Sequence, residues 1–146
     1  MVKGELREFD IPFEQTHEKK YGNVFLLPLQ EIVICEFTDA FVLPEDFKKM
    51  IEKAIKIAST EVVSRIVIDL RKVQAFHQPS VEWLWAVAAE HLYGKQIIHY
   101  CLMLTDEEWY EDLIRLTIGK VNDNHPQNHL EELKIQFCKS FYEAVK

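Results

Sequence analysis

The side chains best able to do chemistry in this 146-residue chain are six histidines, three cysteines and the mixed segment from Asp69 to Glu82. His125 and His129 stand four apart, a separation that can place two imidazoles on one helix face for a metal ion. Pro126 interrupts them and Asp123 is the only further ligand nearby, so they read as loop histidines. His91 falls on the apolar side of a helical pattern and reads as a half-buried, hydrogen-bonded residue. Cys35, Cys101 and Cys138 are odd in number, far apart and each inside an apolar run. They read as small buried hydrophobes in a reducing compartment, with no disulfide framework. None sits at a helix N-terminus, where a thiolate would be favoured. The four glycines are unclustered, with no phosphate-cradling loop and no Gly-x-Ser-x-Gly elbow, so neither a cofactor nor a metal is expected.

The most informative stretch is the junction Val73-Gln74-Ala75-Phe76-His77-Gln78-Pro79-Ser80-Val81-Glu82-Trp83-Leu84. It follows Asp69, which closes an apolar run at the position where α/β folds often place functional carboxylates. Asp also turns a chain at a strand end, and Arg71 and Lys72 are ready partners for it. The junction delivers a helix N-terminus to the end of the sheet, where free N–H groups favour an anion, so Ser80 is a candidate phosphorylation site. Ser80 also reads as an N-cap, with Gln78 competing if Pro79 is the first helical residue. Trp83 and Trp85 lie about 200° apart around that helix, so one can be core while the other anchors an interface.

These side chains need a frame, and the rest of the chain supplies one. At 48% hydrophobic and 28% charged, 146 residues suit one globular domain. The formal charge of -7 works against nucleic acid and anionic membrane surfaces. Its local acidic cluster, Asp106 to Asp112, reads as a solvated helix face. No apolar run approaches the ~20 residues of a membrane span, and Met1 to Glu18 has no apolar signal region, so a cytoplasmic location is expected.

Residues 1–22 look like an N-terminal extension to a single domain spanning 23–146. Asn23 to Leu29 and Ile32 to Phe37 read as an antiparallel hairpin, with Pro28 at an edge or bulge. Pro44, Glu45 and Asp46 open a helix whose buried face is Phe47, Met50, Ile51, Ala54, Ile55 and Ala58. Arg65 to Leu70 is a short β-branched run of the kind covered on both faces. A helix from about Ser80 to Tyr93 stops at Gly94, and Gln96 to Leu104 reads as another strand. Thr105 with Glu108 suggests a capping box for a helix closed by Gly119. Lys120 to Gln127 reads as loop, Asn128 to Leu133 as a helical turn and Ile135 to Cys138 as the last strand. Ser140 with Glu143 caps a final helix. The order β-β-α-β-α-β-α-β-α predicts a mixed, mostly parallel sheet of about five strands with four helices.

At the Asp69 junction the chain resembles the STAS domain, the family of bacterial anti-sigma factor antagonists, stressosome proteins and transporter tails. Ile66-Val67-Ile68-Asp69-Leu70-Arg71-Lys72-Val73 matches the family's strand, and Phe76 falls close to its aromatic. Leu84, Gly94-Lys95 and the ending from Ile135 fit the later elements, so the likeness covers roughly 23–146. The family's Asp-Ser-Ser-Gly turn falls on His77-Gln78-Pro79-Ser80, which puts Pro79 at the phosphorylated position and Ser80 at the turn glycine. The resemblance implies a SpoIIAA-like fold and a non-catalytic signalling module without the usual phosphoserine switch. It implies a protein partner, an anti-sigma factor kinase or a related signalling complex, and is compatible with self-association. The contacts expected are His77, Gln78, Ser80, Glu82 and Trp85. An alternative reading is a small-ligand-binding or enzymatic α/β protein using Asp69, His77 and Thr105 at the strand ends.

Overall fold

A computed structural model describes residues 1–105 and 107–146; of Glu108 only the backbone is described. The acidic cluster expected from Asp106 therefore begins outside the described residues. Six strands run in one mixed sheet: β1 (Glu14–Lys19), β2 (Gly22–Leu27), β3 (Ile32–Phe37), β4 (Arg65–Asp69), β5 (His99–Met103) and β6 (Lys134–Cys138). They lie in sequential order, with β1, β2 and β3 antiparallel and β3 to β6 parallel. The expected α/β class and mostly parallel sheet are present, with six strands in place of about five.

The reason β3 is central is legible in its composition. All six residues of Ile32–Phe37 are buried, as a strand covered on both faces requires. Pro28 lies in the turn between β2 and β3, outside the ladder where its missing N–H would cost a bond. Gly22 starts β2 because nothing larger fits. A Cβ there would meet the Glu36 carbonyl oxygen at 2.3 Å and Met50 Cε at 2.9 Å.

Alternation along the strands divides the core in two. One face carries Val24, Val33, Cys35, Ile66, Ile68, Tyr100 and Leu102. Over it pack α2 (Pro44–Thr60), the helix α3 (Gln78–Trp83) running on through a π turn (Leu84–Ala88) into α4 (Ala89–Tyr93), and α5 (Glu108–Asn124). The other face carries Phe25, Ile34, Val67, Cys101 and Met103 beneath α1 (Val2–Glu8) and α6 (Phe141–Val145).

Residues 1–22 are thus not a loose extension. Val2 and Leu6 of α1 are fully buried, and β1 pairs with β2 as an edge strand. Further differences concern helix ends. The π turn breaks the expected single α-helix, and the Ala86 carbonyl within it accepts a hydrogen bond from Asn128 Nδ2 at 2.9 Å. Helix α5 runs five residues past Gly119, and its N-cap is Glu107, not Thr105. Ser140 does cap α6, accepting from the Glu143 N–H at 3.1 Å. No helix among the described residues is long and apolar enough to cross a membrane.

Candidate functional site

The C-terminal ends of the parallel strands open into three loops, after β3, β4 and β5, and this is where the site is built. Gln74 N–H donates to the Ala40 carbonyl at 2.9 Å, tying the first loop to the second. The third joins through Tyr110, whose hydroxyl donates to the Val73 carbonyl at 2.8 Å. Its ring stands edge-on to Phe76 with centroids 4.6 Å apart and stacks on Trp109 at 4.0 Å. Burial, and secondarily the Glu107 carboxylate, hold the Tyr110 phenol above its usual range, so it stays a neutral donor.

Three large apolar side chains stand out from this end of the sheet: Phe41 at 70% exposure, Leu43 at 58% and Trp109 at 49%. A large side chain left in water gives up roughly 1.5–3 kcal/mol of burial free energy, so such residues gathered at one end mark a surface that a partner can cover. Val62 and Leu116 are equally exposed but stand elsewhere, as scattered surface hydrophobes do.

Against this surface the expected contact residues divide. His77 is exposed and forms the N-cap position of α3. Ser80 is the third helical residue rather than the cap, and its Oγ lies 2.7 Å from His77 Nδ1. At 4% exposure Ser80 is buried, so the expected phosphorylation site is not displayed on the free surface of the folded domain. Gln78 is half-buried and donates to Thr117 Oγ1 of α5 at 3.2 Å. Glu82 lies 2.8 Å from the Lys120 ammonium, an ion pair too poorly angled for a hydrogen bond. Both residues fasten α3 to α5 and leave little side chain free.

Trp85 is a correction of the same kind. It is 1% exposed and packs edge-on against Tyr100, so it belongs to the core and anchors no interface. Trp83 is the partly open one, with the Lys48 ammonium 5.5 Å from its ring centroid. Phe41, Leu43 and Trp109 went unread in the sequence, although a signal existed. Phe41 and Leu43 precede Pro44 and fall outside the buried stripe that begins at Phe47.

The residues proposed for a small-ligand site do not converge. Asp69, 1% exposed, faces the α1 side of the sheet and accepts from Arg71 Nε at 2.9 Å and Nη2 at 2.8 Å. Arg71 also grips Glu5 of α1 in a fork of 3.0 and 2.7 Å. Burial works against the guanidinium charge, but Glu5 and Asp69 outweigh it and the net shift is upward. His77 lines a small apolar dimple of about 20 Å³ with Phe37, Phe76 and Val81, among others, on the opposite face. Thr105 lines a separate cleft of about 240 Å³ with Glu107, Glu111, Asp112 and Lys139, among others. The cleft at Thr105 and the dimple at His77 share no lining residue and Asp69 lines neither, and no group of three metal-ligating side chains occurs among the described residues.

Comparison with family models, with curated proteins and with solved structures finds no match for this chain.

Proposed function

We propose that this protein is a non-catalytic interaction module that docks a partner protein on the loops at the C-terminal ends of its parallel strands. The observation that carries the proposal is the exposure of Phe41, Leu43 and Trp109 on the loops and helix start at one end of the sheet, the end at which the exposed His77 opens α3. Aromatic and large aliphatic side chains on loops held by a rigid sheet are the usual anchors of protein interfaces. Gln78 and Glu82 act through the frame, holding α3 against α5. The resemblance to STAS domains, strongest at Ile66 to Val73, points the same way. It suggests an anti-sigma factor kinase or a related signalling complex as the partner, in a cytoplasmic setting. The loss of the serine from the family position, at Pro79, argues for constitutive binding without a phosphate switch.

The test compares binding of a partner purified from the source organism by the wild-type protein and by folded variants. Phe41→Asp with Leu43→Asp should weaken binding at least about tenfold, whereas Val62→Asp, equally exposed, should leave it within about twofold. Equal losses from both, or a loss from Val62→Asp alone, would place the interface elsewhere.

A further inference from the structure

A second surface has a chemistry opposite to the rest of the molecule. Between the edge strand β1 and helix α2 runs an open groove of about 650 Å³, lined by His17, Lys19, Lys49, Lys53 and Lys56, with Tyr21 and Met50 among the rest of the lining. Asp46 and Glu52 also line it, so four ammonium groups face two carboxylates on a chain whose net charge is -7. Among the described residues none of the four lysines lies within 4.0 Å of a carboxylate. Lys49, Lys53 and Lys56 follow the i, i+4, i+7 spacing of a single helix stripe, where like charges repel. His17 reports the same crowding: burial first, then Lys53, Lys19 and Lys56, hold its imidazole below the usual range. β1 has a neighbour on one side only, so its outer backbone groups are open to a further strand.

We propose that this groove receives an extended acidic segment of a partner protein, laid along the free edge of β1 with alternate carboxylates turned toward the lysines. An extended chain repeats a side chain on one face about every 7 Å. The lysine stripe of α2 spans about 10 Å, and His17 and Lys19 face it from alternate positions of β1. Two or three carboxylates therefore match the row. Strand addition supplies backbone hydrogen bonds, and the charges set which strand is accepted. The described lining holds no arginine fork for a phosphate group, and the acidic remainder of the surface repels nucleic acid and anionic membrane. This surface is separate from the strand-end loops, and its test does not depend on them.

The probe is a fluorescent peptide of about twelve residues alternating Glu and Thr, titrated with full-length protein by anisotropy. Saturable binding is expected at about 50 mM salt, weakened at least about tenfold at about 300 mM. Lys49→Glu with Lys53→Glu should abolish it, whereas Lys134→Glu, exposed on β6, should change it less than about twofold. Both variants are scored only where melting temperature and far-UV circular dichroism match wild type, and Lys49→Gln with Lys53→Gln, which removes the charges without adding carboxylates beside Glu45, Asp46 and Glu52, should weaken binding at least about tenfold. Absence of saturable binding, equal loss with Lys134→Glu, or tighter binding of a short DNA duplex or of phosphatidylserine vesicles would each overturn the proposal.

Discussion

Arg71 holds the N-terminal helix to the sheet, and replacing it by methionine gives the sharpest test of how the fold is fastened. Its side chain is 18% exposed and lies between Asp69 at 2% and Glu5 at 24%. Removing one partner of a buried ion pair costs about 3–5 kcal/mol, because the remaining charge is left without compensation. Here the Arg71 backbone N–H still donates to Asp69 Oδ1 at 3.0 Å, so the lower end, about 3 kcal/mol, is expected. Adding Asp69→Asn removes the stranded charge and should restore part of that loss, about 1–2 kcal/mol. Glu5→Gln alone, at a partly open site, should cost about 1 kcal/mol. Urea unfolding at neutral pH, followed by tryptophan fluorescence and far-UV circular dichroism, measures all three. A cost under about 0.5 kcal/mol for Arg71→Met, or a double variant less stable than the single one, would refute the reasoning.

The other predictions concern the core and one loop. The Tyr100 hydroxyl is buried without a partner, so Tyr100→Phe should stabilise by about 1 kcal/mol and raise the melting temperature by about 3 °C in calorimetry. Burial pushes the Cys35 thiol up to about 12, so at pH 8 it should react with iodoacetamide no faster than the protein unfolds; rapid labelling of native protein at that residue would contradict this. The Glu90 carboxylate lies below its usual range, chiefly because it accepts the His129 backbone N–H at 3.0 Å. Its contribution is therefore present above the unfolded-chain value and lost as pH falls through the lower folded one. Glu90→Gln should cost about 0.5 kcal/mol at pH 7 and nothing near pH 3, by urea unfolding at each pH.

What the sequence revealed and what it hid have physical causes. The buried strands are legible because residues covered on both faces must be apolar throughout, as Ile32–Phe37 and Arg65–Asp69 nearly are. Helix α2 is legible because it buries one clean stripe. The edge strand β1 reads Glu-Gln-Thr-His-Glu-Lys, buries none of its residues fully and so carries no alternation signal. Helix α1 buries only Val2 and Leu6, two positions that cannot show a period. Trp85 and Trp83 are separable by spacing, but which one faces the sheet depends on the rotation of α3 and on the π turn, which tertiary packing decides. Ser80 was legible as a polar residue at a helix start, and its burial was not, because its partner is the exposed His77 three residues earlier.

The central claim, that the strand-end loops are the docking surface, is tested most directly by site-specific photocrosslinking in cells of the source organism. A benzophenone side chain would replace Phe41, Trp109, Val62 or Leu116 in turn, all exposed positions that tolerate bulk. One defined protein joined at positions 41 and 109, absent at 62 and 116, and lost when Leu43→Asp is added, is the result this account predicts. Crosslinks confined to positions 62 or 116, or no adduct at 41 and 109 beside a strong one elsewhere, would contradict it.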